Sequence, residues 1–284
     1  MTGAIDVRDR FLFIGHSDSR GHVHVYDLGR ERVTRSFHFA PEECGEIAGI
    51  AVDVGWNLHV ADRPRHAVRR FTIFGRETLR FGTPTVGGGG DRRGVLESPN
   101  DVALDEEGSL YVACGAMPLV HAVQKFAPDG RCLGTFRAFG EPNEKFASPR
   151  GIAVAGDRVF VADTEAGCVQ VFTTAGVFVS MFSTATRPGE RSFPTAVAPR
   201  PEGGLLVAQR GEEPCVKAFE GGEEFERVWI EGGEGEGRVD DPEDLVCDGR
   251  GFVYVSDRRG ERVQGFDASG RFLGVLLDVE NLPA

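Results

Sequence analysis

The amino-acid sequence predicts an all-β protein in which one four-stranded unit occurs six times. A Val-x-x-aromatic pattern recurs along the chain, and its aromatic residues are separated by 45, 55, 46, 47 and 47 positions. A glycine follows each of them after three or four positions, which indicates a turn between two strands. The 39 glycines and 15 prolines also favour many turns over a helical bundle. The recurring aromatic residues are Tyr26, Phe71, Phe126, Phe172, Phe219 and Phe266.

Two apolar segments precede the aromatic pattern in each unit, and we interpret them as strands A and B. Strand A is predicted, in chain order, at residues 4–7, 50–54, 101–105, 151–155, 195–199 and 244–248. Strand B is predicted at residues 11–16, 58–62, 110–114, 159–163, 205–209 and 253–257. Four of the A strands are preceded by a proline, at a position where its missing N–H breaks no ladder bond. These prolines are Pro99, Pro149, Pro194 and Pro242.

Strand C contains the aromatic residue, and strand D follows the glycine turn. Four short strands in about 48 residues is the blade spacing of a β-propeller. The strands lack a clean polar alternation, as expected when neighbouring blades cover both faces of a sheet. We therefore predict a single domain over residues 1–284, a six-bladed β-propeller with four antiparallel strands per blade. The blades are expected at approximately residues 4–39, 49–82, 100–140, 150–183, 194–230 and 243–278.

Composition and charge restrict the function classes. No run of about 18 apolar residues is present and the first residues carry charges, so neither a transmembrane helix nor a secretory signal is expected. The six cysteines form no C-x-x-C motif, which suggests reduced thiols and a cytoplasmic location. The net charge of −12 argues against a generic binder of nucleic acid or of anionic membranes.

The units resemble NHL repeats, which build six-bladed β-propellers. The resemblance is clearest in SPRGIAVAGDRVFVADTEAGCVQVFTTAGVFVSMF (148–182) and in DPEDLVCDGRGFVYVSDRRGERVQGFDASGRFLGVLLD (241–278). It implies that strand A is innermost and strand D outermost. The D-to-A and B-to-C loops then lie on one face, which we call the top face. The fold hosts scaffolds, RNA binders and enzymes, and so does not define a function.

The top-face loops supply the candidate binding residues. Residues 63–93 contain eight arginines against Glu77 and Asp91, whereas residues 220–244 contain eleven acids against Arg227 and Arg238. Blades 2 and 5 are opposite in a six-fold ring, so we expect a dipolar top face that docks a protein or peptide. Such a dipole would also allow self-association. The candidate residues are Arg63, Arg65, Arg92, Arg93, Asn100, Asp101, Arg150, Thr195, Glu243 and Asp244.

Two alternatives to this non-catalytic, cofactor-free scaffold remain open. The segment SPNDVALDEEGSLYVA (98–113) resembles gluconolactonase-type lactonases, which implies Ca²⁺ or another divalent metal held by Asn100 and Asp244. The metal would polarise a lactone carbonyl and activate water. The other alternative is RNA binding, which is less favoured because the acidic segment repels phosphate. It would use the arginines Arg63, Arg65, Arg92, Arg93, Arg150, Arg210, Arg258 and Arg259.

Two further groups of residues are interpreted as structural. Asp62, Asp163 and Asp257 end strand B in three units, and an aspartate there is expected to accept backbone N–H bonds in the B-to-C turn. His22 and His24 are two positions apart on a strand of the first unit, so their side chains share one face. Such a pair could begin a zinc site, but the sequence indicates no third ligand.

Overall fold

Each predicted unit forms its own four-stranded sheet. The computed structural model describes residues 2–17, 21–39, 45–82, 93–115, 122–136, 146–221 and 223–278. Within these ranges, every sheet consists of four antiparallel strands that are consecutive in the sequence. The chain is therefore an all-β, six-bladed β-propeller, as the sequence predicts. No helix in the described ranges is long and apolar enough to cross a membrane.

The first three blades have the following strands. Blade 1 contains β1 (Thr2–Arg8), β2 (Phe11–Ser17), β3 (Gly21–Asp27) and β4 (Arg32–His38). Blade 2 contains β5 (Ile47–Val52), β6 (Asn57–Asp62), β7 (Ala67–Thr72) and β8 (Glu77–Phe81), with a 3₁₀ turn (Arg63–Arg65) between β6 and β7. Blade 3 contains β9 (Pro99–Leu104), β10 (Leu110–Cys114), β11 (Ala122–Phe126) and β12 (Cys132–Phe136).

The last three blades repeat this arrangement. Blade 4 contains β13 (Pro149–Ala155), β14 (Arg158–Asp163), β15 (Cys168–Thr173) and β16 (Phe178–Ser183). Blade 5 contains β17 (Phe193–Pro199), β18 (Leu205–Arg210), β19 (Cys215–Glu220) and β20 (Glu224–Ile230). Blade 6 contains β21 (Pro242–Cys247), β22 (Val253–Asp257), β23 (Arg262–Phe266) and β24 (Phe272–Asp278).

Each inner strand begins two or three residues earlier than the sequence predicts. In blades 4 and 6, for example, Pro149 pairs with Asp163 and Pro242 pairs with Asp257. A register shift separates these first pairs from the rest of the strand. The prolines are therefore part of strand A, at its first residue, where the ring is tolerated.

The aromatic residues of strand C fill the interfaces between blades. Phe71, Phe126, Phe172, Phe219 and Phe266 are each at most 2 % exposed. Each ring packs against an aromatic ring near the end of strand D of the preceding blade. The centroid distances are 4.3 Å for Phe39–Phe71, 4.8 Å for Phe81–Phe126, 5.5 Å for Phe136–Phe172, 4.9 Å for Phe182–Phe219 and 6.3 Å for Trp229–Phe266. The sequence repeat is therefore a repeat of inter-blade packing.

Blades 6 and 1 close the ring without sharing a sheet, because β1 to β4 form one complete blade. The Ile5 N–H donates to the Asp244 carboxylate at 2.8 Å, and the Ser256 hydroxyl donates to the Gly3 carbonyl at 2.6 Å. Closure therefore depends on apolar packing and on side-chain bonds to backbone, not on an exchanged strand.

Two of the three strand-B aspartates, Asp163 and Asp257, accept N–H groups from a different loop than predicted. Asp163 accepts the backbone N–H groups of Ala147 and Ser148, and Asp257 accepts that of Asp241. These donors belong to the D-to-A loop that enters strand A. Because strands A and B are antiparallel, the end of strand B lies beside the start of strand A. Asp163 and Asp257 therefore hold that loop, whereas Asp62 lies 3.5 Å from Arg65 in the turn between β6 and β7.

Candidate functional site

Four of the predicted site residues occupy the same position in four inner strands. Asn100, Arg150, Thr195 and Glu243 each lie where the pairing of strand A with strand B shifts. A β-bulge of this kind changes the direction of the side chain it carries. Together with Arg63 they line a top-face cavity of about 20 Å³ at the mouth of the central channel. This volume accommodates about one water molecule.

Asn100 and Thr195 tie neighbouring blades together. The Asn100 amide nitrogen donates to the carbonyls of Pro149 at 2.7 Å and Gly115 at 3.2 Å. The Thr195 hydroxyl donates to the Pro242 carbonyl at 2.8 Å. Both side chains are buried, so these bonds satisfy backbone groups that would otherwise be desolvated without a partner.

Ion pairs cover the mouth of the channel on the top face. Arg150 of blade 4 contacts Glu243 of blade 6 at 2.9 Å, across the mouth. Arg63 contacts Glu46 at 2.6 Å. Among the described residues, these partly buried pairs narrow the mouth of the channel on the top face.

Arg258 and Arg210 lie next to the Arg150–Glu243 pair, and of these two only Arg258 contacts a carboxylate of the described residues. Arg258 contacts Asp241 at 2.6 Å, and its Nε lies 4.0 Å from Glu243. Arg210, the last residue of β18, is half-buried and makes no side-chain hydrogen bond or ion pair with the described residues. Burial lowers the pKa of Arg210, and the positive charges of Arg150 and Arg258 lower it further. The sequence gives Arg210 only as one of eight arginines, because its lack of a partner is a tertiary property.

Three partly buried carboxyl groups lie below the mouth, inside the channel. Burial raises the pKa of Asp6 and of Asp244 to about 7. Burial and the negative charge of Asp244 both raise the pKa of Asp101. Each carboxylate accepts the N–H of the following residue and one N–H from the next blade. Asp6 was not predicted; its only sequence signal is a charge within an otherwise apolar segment, AIDV (4–7).

The channel is wider toward the bottom face. Its cavity there has a volume of about 810 Å³ and is lined by all six inner strands. Small side chains keep it open, since Ala51, Ala103, Ala153 and Ala198 occupy equivalent positions of four inner strands. Asp6 occupies the corresponding position of β1.

Four of the eight arginines of the segment 63–93 contact carboxylates in or next to blade 2, so part of its positive charge is compensated locally. Arg69 is buried in β7 and bonds to Asp62 and Glu77. Arg80 lies on the outer strand and also pairs with Glu77. Only the part of the segment in the B-to-C and D-to-A loops lies on the top face. Sequence spacing could not show this, because it does not tell which arginines face an acid.

The remaining predicted arginines also differ in their surroundings. Arg65 lies 3.5 Å from Asp62, and Arg93 is exposed in the D-to-A loop. Arg92 lies outside the described residues. Of the further arginines in the RNA hypothesis, Arg259 contacts Asp240 at 3.2 Å. Most of these guanidiniums therefore already have a carboxylate partner.

The histidines of blade 1 form a larger cluster than the sequence indicates. His16 and His38 lie beside His22, with ring centroids at 5.5 Å and 5.9 Å, and the rings of His22 and His24 are stacked. Burial lowers the pKa of His24 to about 4. No three His, Cys, Asp or Glu side chains of the described residues are arranged to hold a metal ion.

The described cysteines do not have the environment of nucleophiles. Five of them are free thiols. Burial raises the pKa of Cys114, Cys168 and Cys247 to about 12, and that of Cys215 to about 11. Because the thiolate is the reactive form, these groups are inert near neutral pH.

Comparison with known proteins supports the fold. Residues 146–172, which span strands A to C of blade 4, match the family model of the NHL repeat. The protein is therefore a six-bladed β-propeller that carries an NHL repeat. A search of curated proteins finds no relative that matches the chain.

Several solved structures share the fold at low sequence identity. Virginiamycin B lyase from Staphylococcus aureus is 10 % identical with a TM-score of 0.64, covering 96 % of this chain and 83 % of the lyase. A chain of a nidogen/laminin complex is 15 % identical with a TM-score of 0.68, covering 93 % and 92 % of the two chains. A protein of unknown function from Bacteroides caccae is 15 % identical with a TM-score of 0.70, covering 97 % and 96 %.

Proposed function

We propose that the protein is a non-catalytic docking module that binds a protein or peptide on its top face. The observation that carries this proposal is the closure of the top-face mouth by the Arg150–Glu243 ion pair. The cavity left there is about 20 Å³, too small for an organic substrate. The top-face loops that the structure describes carry exposed charged side chains that a ligand can contact.

The charges of these loops suit recognition by electrostatic complementarity. Arg187 and Glu213 form an exposed pair between the loops of blades 4 and 5, and Arg259 and Asp240 form another in blade 6. Exposed pairs contribute little to stability, so they are free to exchange partners at an interface. The propeller in the nidogen/laminin complex is a precedent for protein binding on this fold.

The metal-dependent lactonase is less well supported by the residues present. The Asn100 amide nitrogen already donates to two carbonyls, and both Asp244 oxygens accept backbone N–H bonds. A divalent cation between the Asn100 amide oxygen and Asp244 would lie in a cavity with room for about one water molecule, which Arg63 and Arg150 also line, and their positive charges oppose a cation. The two residues therefore do not fit a metal site in this arrangement.

Charge reversal on opposite faces tests the docking proposal. Arg187→Glu with Arg259→Glu changes the top face, and Arg76→Glu with Arg131→Glu is the matched control in exposed bottom-face turns. Proteins captured on each immobilised variant are compared by quantitative mass spectrometry at low and high salt. We expect a salt-sensitive partner that the top-face variant loses and the control retains. Identical partners for all proteins at both salts would refute the proposal.

A separate assay tests the lactonase. The purified protein is incubated with a panel of lactones and Ca²⁺, and ring opening is measured. Turnover that Asn100→Ala abolishes would replace the docking proposal with the lactonase.

A further inference from the structure

We infer that a groove at the outer rim of blade 5 binds an extended peptide that presents basic and apolar side chains. This groove lies away from the channel mouth, and its occupant goes beyond the docking function proposed above. Three features of the described residues carry the inference: an outer strand with both faces exposed, a groove beside that strand, and carboxylates in the groove that have no cation partner.

The first feature is the exposure of β20, the outermost strand of blade 5. In the outer strands β8, β12 and β16, every second residue is at least half-buried, because one face of the strand is covered. In β20, all five residues from Glu224 to Val228 are exposed. Phe225 is 44 % exposed and Val228 is 37 % exposed, so an apolar side chain of a ligand can pack against them and leave water.

The second feature is a groove of about 750 Å³ that Phe225 and Val228 line. This volume lies within the range of clefts that hold ligands, about 300–1,000 Å³. No described strand pairs with the outer edge of β20, so an extended peptide can lie along this strand. The lining also includes residues of the loops around blade 5 and of β19, namely Thr186, Arg187, Glu212, Glu213, Pro214, Cys215, Lys217, Glu231, Gly232, Gly233 and Asp240.

The third feature is the charge of the lining, which carries four acids and two bases. Both bases and two of the four acids have a partner of opposite charge, either in the groove or beside it. Since both bases are compensated in this way, they leave no free positive charge in the groove. The pairs are Arg187–Glu213, Lys217–Glu190 and Asp240–Arg259.

Two carboxylates of the lining remain for a ligand. Glu212 and Glu231 are exposed, and neither contacts a basic group of the described residues. The loop after Glu231 adds Glu234 and Glu236 against Arg238, whose guanidinium bonds to a backbone carbonyl. A Lys or Arg side chain binds such carboxylates, whereas they repel the phosphates of a nucleic acid or of an anionic membrane. The charge therefore favours a basic peptide.

Three fluorescein-labelled libraries of seven-residue peptides test this inference. Each has random uncharged residues around a fixed pattern: Lys-x-Leu-x-Lys, Gln-x-Leu-x-Gln without the charges, or Lys-x-Gln-x-Lys without the apolar side chain. Alternate residues of an extended peptide point to the same side, so the fixed residues can reach the groove together. Binding to the full chain is measured by fluorescence anisotropy. We expect the Lys-x-Leu-x-Lys library to bind at least about 5-fold more tightly than either of the others.

Substitutions in the groove show where the peptide binds. Glu212→Gln with Glu231→Gln should weaken the Lys-x-Leu-x-Lys library about 5- to 10-fold, because both exposed carboxylates are lost. Val228→Thr keeps the shape of the side chain and should weaken it about 3-fold through the lost apolar contact. Arg187→Gln should strengthen binding, because it leaves Glu213 as a third carboxylate without a cation. These four positions are exposed, so thermal unfolding should be unchanged.

The matched control is Glu106→Gln with Glu107→Gln, which removes two exposed carboxylates from the bottom-face turn between β9 and β10 and should bind like the wild type. If this control weakens binding as much as the groove variant does, the attraction is a general effect of net charge and the inference is overturned. Equal binding of the Lys-x-Gln-x-Lys library would overturn it too, as would unchanged binding to the variant of Glu212 and Glu231.

A second copy of the chain is the other occupant that the experiment can detect. If analytical ultracentrifugation shows that the wild type self-associates and that Val228→Thr abolishes this association, the groove holds another copy and the peptide inference is wrong. Failure of the peptide inference leaves the top-face docking function standing, because the capture experiment with the Arg187 and Arg259 reversals tests that function separately.

Discussion

At the scale of single residues, the most direct prediction concerns the repeated aromatic position. Phe172 is fully buried and packs against Phe136, Phe146 and Phe178 with centroid distances of 5.5 to 5.7 Å. Phe172→Ala leaves a cavity between blades 3 and 4 and should cost about 3–5 kcal/mol of unfolding free energy. Denaturant unfolding measures this, with the exposed Val179→Ala as control. A loss below about 1 kcal/mol would mean that the site repacks.

The pH dependence of Asp6 gives a second prediction. Because burial raises its pKa from 3.8 to about 7, the carboxyl stabilises the folded state fully only below about pH 4 and loses this contribution as the pH rises through 7. Asp6→Asn cannot titrate, so its unfolding free energy should fall less between pH 5 and pH 8 than that of the wild type. An unchanged slope in urea titrations at a series of pH values would show that Asp6 is not the titrating group.

The pKa of His24 predicts the opposite pH dependence of the unfolding free energy. Burial and the charges of His16 and His22 lower the pKa of His24 from 6.5 to about 4. The neutral imidazole therefore contributes fully to the stability of the fold above about pH 6.5, and this contribution is lost as the pH falls toward 4. His24→Gln should retain more of its stability between pH 6.5 and 4.5 than the wild type does. The His24 imidazole resonances in a proton NMR titration give the pKa directly. A midpoint near 6.5 would contradict the prediction.

At the scale of the structural elements, the loops that enter strand A determine how neighbouring blades are held. Asn100 in β9 bonds to the Pro149 carbonyl that begins β13, so one side chain joins two inner strands. Asn100→Ala leaves two carbonyls without this donor and should cost about 1–3 kcal/mol. The loss should be the same in Ca²⁺ and in EGTA, as measured by thermal unfolding. Stabilisation of the wild type alone by Ca²⁺ would instead place a cation at Asn100.

Strand order and pairing could be predicted from the sequence at this scale, but the bulges could not. The Val-x-x-aromatic spacing is a local property, and it correctly gave strand C and its buried aromatic residue in each blade. The bulge at Arg150 or Glu243 arises because strand A must pair through its proline, as in the Pro149–Asp163 pair. The pairing through the proline depends on the loop that arrives from the preceding blade, and the local sequence pattern gives no information about that loop.

At the scale of the whole molecule, the seam between blades 6 and 1 should limit stability. Ser256 is buried in β22, and its hydroxyl donates to Gly3 of β1 at 2.6 Å. Ser256→Ala removes this bond and should cost about 1–3 kcal/mol. Hydrogen exchange should show the loss of protection concentrated in blades 1 and 6. Equal loss in all blades would indicate that the ring opens only by global unfolding.

The sequence by itself determined what repeats: six blades, four strands in each, and the buried aromatic position that joins neighbours. These follow from local periodicity, because each unit must bury two apolar faces against the next one. Only the tertiary structure decided which arginine side chains are neutralised by a carboxylate partner. Arg69 is neutralised inside blade 2, Arg150 is held by Glu243 two blades away, and Arg210 at the same mouth contacts no carboxylate of the described residues. The physical reason is that electrostatic interaction depends on distance through space and on burial, and ring closure sets both for residues far apart in the chain.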